Sequence, residues 1–241
     1  MNQLPGAALR LRDPGAEEAF RKIEETLVRA RTLTLKFLTD GVKTADGTRT
    51  AFKVAGTFAL KTGDRVNLSI RTQATEGTET RYVGTGWAIS NGTRWQQQHG
   101  DRDCEIQPVP AGLVSQFTLT LLRCGAYSAF ILMLSNPSLK VLPRIPVEEG
   151  QDLRKMLAVS DLKPGPDDRE AKTLSYALRS SGAQADFSAS GTLRYHPETW
   201  MLLGRTLTVK GREGAETTLT ERYDDVKIDS EIPDEQFKVP D

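Results

Sequence analysis

One apolar block, Leu113 to Leu134, interrupts a chain that otherwise alternates apolar and polar residues at the period of a β-strand. A strand-rich protein that keeps its greasiest residues in one helical insert must either plug its own sheet with them or use them to cover a cavity. The block has the length of a membrane span. It nevertheless contains Gln116, Arg123 and several hydroxyls, and a mid-membrane arginine costs at least about 2.5 kcal/mol, so a transmembrane reading is rejected. Gly125 divides the block into two short helices as a C-terminal capping glycine. Leu113, Val114, Phe117 and Leu121 form a stripe on the first, while the second is apolar almost all round from Phe130 to Leu134.

Before the insert, Asp13-Pro14-Gly15 predicts a helix start, with Asp13 as cap and Pro14 in the first turn. Ala16, Ala19, Phe20, Ile23, Leu27 and Ala30 then make one apolar stripe to about Arg31, which predicts packing on a sheet. From Thr32 the period becomes two. Leu33, Leu35 and Phe37 share a face, as do Phe52, Val54, Gly56, Phe58 and Leu60, and, after a turn at Thr62-Gly63-Asp64, Val66, Leu68 and Ile70. A fourth strand carries Val83, Thr85, Trp87 and Ile89 and ends at a hairpin tip, Asn91-Gly92. Pairing across that tip sets Ala88 beside Trp95 and Trp87 beside Gln96, with the two tryptophans on opposite faces. Gln96 to Pro110 reads as loop, and Pro137 to Pro166 as irregular chain with a short strand at Lys155 to Val159.

Alternation resumes from Lys172. Leu174, Tyr176 and Leu178 are followed by Phe187, Ala189, Gly191, Leu193 and Tyr195, by a turn at His196-Pro197-Glu198-Thr199, by Met201, Leu203, Arg205, Leu207 and Val209, and by a last strand from Leu219 to Ile228. Small residues at Gly56, Thr85, Ala189 and Gly191 lie among large ones on the inner faces, a pattern expected to leave volume unfilled in a curved sheet.

The charge balance, 32 Lys plus Arg against 32 Asp plus Glu, gives no field for collecting phosphates, so nucleic acid is not an expected partner. There is no nucleophile elbow, phosphate-binding loop or dinucleotide fingerprint. His99 and His196 have no ligand-spaced partners, and the acid pairs Glu17/Glu18, Glu148/Glu149 and Asp224/Asp225 read as solvated faces. No enzyme, metal or cofactor is expected. Arg65, entering an apolar strand from a tight turn, and Arg123, ending the first insert helix, are either anchors for a polar headgroup at a cavity rim or plain surface and helix-end charges. Cys104 and Cys124 would close a loop of about 20 residues worth around 3 kcal/mol if bridged; the alternative is two buried free thiols. The start, Met1 to Ala8, has neither basic nor apolar signal regions, leaving a cytoplasmic chain or one whose signal has been removed.

The helix, the meander, the hairpin Ser90-Asn91-Gly92-Thr93-Arg94-Trp95, the insert, the turn Tyr195-His196-Pro197-Glu198-Thr199 and above all the ending Ile232-Pro233-Asp234-Glu235-Gln236-Phe237 with Pro240 form an ordered set. From about Ala16 to Pro240 this set resembles the LolA-like periplasmic lipoprotein-carrier superfamily. The resemblance implies a mainly β (α+β) fold: one domain over residues 1–241, a strongly curved, unclosed antiparallel β-barrel with helices on its concave face as plug and lid. Residues 1–12 are expected to be a disordered or trimmed N-terminus. It implies a monomeric, exported, non-enzymatic carrier that holds acyl chains of a lipoprotein or lipid in an apolar cavity and exchanges them with a membrane-anchored donor or acceptor protein. The alternative is an envelope sensor that binds a protein partner through the same fold. The ligand-binding residues would be Leu35, Phe37, Phe52, Val54, Phe58, Trp87, Leu113, Phe117, Leu121, Phe130 and Leu132, with Arg65 matching the family's functional arginine. If the chain is exported, Cys104 and Cys124 are expected to be bonded. Two departures stand out: Trp200 occupies a position where many relatives have glycine, and the insert is longer and more apolar than a minimal lid.

Overall fold

The computed structural model describes residues 13–76, 79–99, 106–133, 153–167, 170–180, 188–211 and 214–240. A helix, α1 (Pro14–Arg29), precedes five strands, β1 (Thr32–Ala45), β2 (Thr48–Lys61), β3 (Arg65–Glu76), β4 (Glu79–Asn91) and β5 (Arg94–His99), and a two-residue β6 (Gln107–Pro108). The insert follows as α2 (Leu113–Cys124) and α3 (Ala126–Met133). A single turn α4 (Leu153–Met156) leads into β7 (Leu157–Pro164), β8 (Lys172–Ser180), β9 (Ser188–Tyr195), β10 (Leu202–Lys210) and β11 (Glu216–Ile228).

Among the described residues the eleven strands form one antiparallel sheet, ordered β6-β5-β4-β3-β2-β1-β11-β10-β9-β8-β7. The first half runs outward from β1 to the edge at β6, and the second runs back from the edge at β7 to β11, which pairs with β1. The two edges do not pair, so the sheet is unclosed, and the insert is the stretch of chain that joins one edge to the other.

Alternation sets the faces as expected. Leu33, Leu35 and Phe37 on β1, Val54, Phe58 and Leu60 on β2, and Val66, Leu68 and Ile70 on β3 are buried in one core with the insert. The insert takes the place expected of α1. Ala16, Ala19, Phe20, Ile23 and Leu27 are buried, but α1 packs on α2 and the edge strand β7, because α2 already occupies the inner face. Asp13 caps α1 by accepting from the Ala16 N–H at 2.9 Å.

Four expectations need correction. At the β4–β5 hairpin Ser90 pairs with Trp95 and Ile89 with Gln96, so Gly92 and Thr93 form the tip, with Gly92 at φ +95°. Asn91 sits before the tip, where its Oδ1 accepts from Thr93 N–H, Thr93 Oγ1 and Arg94 N–H at 2.9–3.0 Å, an Asx arrangement. The shift is even, so the tryptophans still lie on opposite faces. The inner face of β4, however, belongs to Gly86, Ala88 and Ser90, and Trp87 lies on the outer face, where its Nε1 donates to Gln98 at 2.6 Å. The expected strand at Lys155 begins only at Leu157, after α4. The glycines do not leave volume: a Cβ on Gly56 would fall 2.4 Å from the Phe37 ring, on Gly41 2.1 Å from Phe52, and on Gly191 2.6 Å from Tyr176. Cross-strand rings fill those positions, and Thr85 is exposed.

The departure at Trp200 has a backbone cause. Its φ is +60°, the left-handed region that glycine adopts without steric cost. The turn is closed by Trp200 N–H on the His196 carbonyl and His196 N–H on the Met201 carbonyl, both at 2.9 Å. The indole stacks on Tyr195 (5.7 Å, 15°), and Lys22 Nζ lies 4.7 Å from the indole ring centroid, contacts that offset the strain.

Candidate functional site

The interior is assembled from both sides. From the sheet come Leu35, Phe37, Val54 and Phe58, with Phe52 partly buried beside them; from the insert come Leu113, Phe117, Leu121 and Phe130. Phe58 meets Phe117 edge to face at 4.9 Å, Phe37 lies 6.1 Å from Phe58, and Phe52 lies 5.7 Å from Tyr127. Of the residues expected to line a ligand space, these nine share one apolar core. Leu132 falls on the last turn of α3, its side chain outside the described residues, as is Cys104. Cys124 is a buried free thiol, and burial pushes its pKa up to about 12; its expected pairing with Cys104 falls on a residue outside those described.

Arg65 and Trp87 lie elsewhere. Arg65 is on the outer face of β3, where its Nη1 bonds Asp234 Oδ1 at 2.7 Å; Lys61 reaches the same oxygen at 2.5 Å and the Ile232 carbonyl at 3.1 Å. The ending quoted above thus straps the outside of the sheet, with Ile232, Phe237 and Val239 buried and Asn67 donating to the Gln236 carbonyl. The hydrogen bond from Lys61, with help from Arg65, holds the Asp234 carboxyl below its ordinary range. The adjoining Asp64 serves the insert. It accepts from the Gly112 N–H at 3.2 Å and the Val114 N–H at 3.0 Å, placing a carboxylate at the positive end of α2.

The inner face also carries an arginine, on a different strand. Arg205 of β10 and Glu221 of β11 are directly opposed in the register, both side chains are fully buried, and Arg205 Nε lies 3.7 Å from Glu221 Oε2. They grip the break between α2 and α3 from its two electrical sides. Arg205 Nη2 donates to the carbonyls of Leu121 and Leu122 at 2.6 and 2.9 Å, the negative end of α2. Glu221 accepts the N–H groups of Ala126 and Tyr127, both at 2.9 Å, the positive end of α3. Tyr176 and Tyr223 complete the network. Arg205 donates to both phenol oxygens, Tyr223 donates to Glu221, and Tyr176 donates to the Arg123 carbonyl at 3.0 Å. Burial alone would lower the pKa of Arg205; the tyrosines and Glu221 outweigh it, and the guanidinium stays charged. Gly125 sits at φ +100°, and a Cβ there would fall 2.3 Å from Glu221 Oε2. Thr39 on β1 adds a 3.3 Å contact to Glu221 Oε1.

Arg123 is not a plain surface charge at a helix end. Its side chain is 5% exposed, its Nη2 donates to Glu24 Oε2 at 2.6 Å, and its Nε donates to the Leu157 carbonyl at 3.2 Å. Burial would raise the pKa of Glu24; Arg154 and Arg123 more than reverse this and hold the carboxyl below its usual value. His196 Nδ1 accepts the N–H groups of Glu198 and Thr199 and is a turn cap. Among the described residues no group of three or more His, Cys, Asp or Glu side chains is placed to hold a metal, and no helix is long and apolar enough to cross a membrane.

No protein-family model matches the sequence, and no curated protein matches it. Solved structures do. The chain is similar to LprF from Mycobacterium bovis, with 7% identity over 92% of this chain and 96% of that one and a TM-score of 0.45. It is also similar to a DUF1329 family protein from Desulfovibrio piger, with 9% identity over 94% and 98% of the two chains and a TM-score of 0.34. A third likeness is to a LolA superfamily protein from Nitrosomonas europaea, with 12% identity over 93% and 97% and a TM-score of 0.33.

Proposed function

We propose that this protein is a non-enzymatic, exported carrier that takes acyl chains of a lipid or lipoprotein between its sheet and its helical insert and passes them to a partner at a membrane. The observation that carries this reading is the position of the insert. An unclosed sheet presents a continuous apolar face, and the segment joining its two edges supplies the opposing apolar surface. The insert occupies the inner face in the described state, so an acyl chain would enter by displacing insert side chains such as Phe117 and Leu121 from Phe58 and its neighbours. At about 0.8 kcal/mol per buried methylene, a single long chain supplies enough free energy for that exchange.

The test is uptake of a neutral fluorescent acyl probe. Wild-type protein should bind it, and Phe117→Ala with Leu121→Ala should change uptake by more than the accompanying loss of stability, about 2–5 kcal/mol per site, accounts for. A wild-type chain that binds no acyl probe would sink the carrier reading. A second reading, an envelope sensor that recognises a protein partner, is favoured by the buried grip of Arg205 and Glu221 on the insert, which resists emptying the core. Saturable binding to a membrane-protein ectodomain without any acyl uptake would decide for it.

A further inference from the structure

Among the described residues, Arg123 holds a donor that nothing uses. Its Nε and Nη2 are matched by the Leu157 carbonyl and by Glu24, but Nη1, with two N–H groups, is buried without a hydrogen-bond partner. Glu24 cannot turn to serve it, because its other oxygen already accepts from Arg154 Nε at 2.6 Å. A buried charged donor left unmatched is costly. The surroundings are graded in polarity. Arg154 is half exposed on one side of Glu24, and on the other the Arg123 guanidinium lies 5.8 Å from the Phe20 ring at the edge of the apolar core.

We propose that Arg123 Nη1, at the junction of α1, α2 and β7, is the binding donor for an oxyanion, the carboxylate or phosphate that heads an amphiphile whose chain the core accepts. This rests on the carrier reading and narrows it to anionic ligands. An arginine presents planar donors that match such oxygens, and a charge-assisted hydrogen bond out of water is about twice as strong as a neutral one. A neutral ester of the same chain would occupy the same apolar surface but offer the donor only an uncharged oxygen.

The experiment is displacement of the neutral fluorescent acyl probe from the full chain by dodecanoate and by its methyl ester, with inorganic phosphate as a third arm. Dodecanoate should displace at a concentration about tenfold lower than the ester. Arg123→Lys, whose single nitrogen is held by Glu24, should bring the two within about twofold, with its folding checked by thermal melting. Glu24→Gln releases the competing carboxylate and should widen the preference for the acid, a change that a purely structural Arg123 would not produce. Phosphate binding that depends on Arg123, without any acid-over-ester preference, would assign the site to a free oxyanion. Equal displacement by acid and ester, with no phosphate binding, overturns the inference and leaves the carrier reading standing. Failure of wild-type protein to bind the probe overturns both.

Discussion

Gly125→Ala tests whether the buried charge pair is what seats the insert. Two costs can be worked from the structure. The backbone at residue 125 has φ +100° and ψ 170°, a region open essentially only to glycine, worth about 1–3 kcal/mol for any other residue. The added Cβ would also meet the Glu221 carboxylate, at 2.3 Å from Oε2 and 2.7 Å from Cδ, so the carboxylate must move. Moving it uncaps the Ala126 and Tyr127 N–H groups and leaves Arg205 without its counter-charge, a disruption of the kind that costs about 3–5 kcal/mol. The expected loss is therefore roughly 4–8 kcal/mol, comparable to the whole stability of many domains. Gly112→Ala is the control. Its φ is +69° and a Cβ there meets nothing within 4 Å, so only the left-handed backbone cost of about 1–2 kcal/mol should appear. Urea denaturation followed by circular dichroism reads both. If Gly125→Ala costs no more than Gly112→Ala, the Glu221 contact does not seat the insert and the reasoning fails.

Two further outcomes follow from the same core. Arg205→Met and Glu221→Leu should each be strongly destabilising, while the double variant should cost less than their sum by about 2 kcal/mol, because each single change strands a buried charge; additivity within 0.5 kcal/mol would show that the pair is not coupled. Stability should also fall in alkali. Burial raises the Cys124 thiol from 9.0 to about 12 and the Tyr176 and Tyr127 phenols from 10.0 to about 12, so all three stay protonated in the folded chain while the unfolded chain ionises. Their contribution is present below pH 9 and is lost as pH rises towards 12, with Cys124 alone accounting for about 2 kcal/mol by pH 10.5. Cys124→Ala should delay the onset to about pH 10, and a denaturation midpoint that stays flat to pH 10.5 would contradict the burial.

The strand faces were legible because period-two alternation survives errors of detail. The β4–β5 hairpin tip is displaced by one residue, yet the pairing moves by two, so the expectation that the two tryptophans lie on opposite faces holds. The error over Trp87 came from reading bulk as inwardness: β4 turns its small residues, Gly86, Ala88 and Ser90, toward the insert, and the large indole outward. Which residues a strand turns to the core depends on the tertiary packing of that face, which side-chain bulk does not reveal. The same holds for α1, whose apolar stripe was evident but whose partner was not, since the stripe does not say whether a sheet or another helix will cover it.

The polar core, by contrast, left a signal in the sequence that is readable in hindsight. Arg205 alternates in phase with Leu207 and Val209, and Glu221 in phase with Leu219 and Tyr223, so each charge occupies an inward position on its strand. An inward charge is a liability unless matched, and two of opposite sign on adjacent strands satisfy that condition when the register sets them face to face. What the alternation could not supply was their target. That depends on Gly125, which reads as a helix stop but also breaks the insert so that a negative and a positive helix end lie side by side over the pair. The arginine matched to the family's functional one, Arg65, secures the outer strap, whereas the arginine that touches the insert stands on β10. If the insert moves to admit a ligand, it must therefore either carry this elbow as a fixed pivot or break a buried ion pair, and the coupling measured between Arg205 and Glu221 sets the cost of the second course.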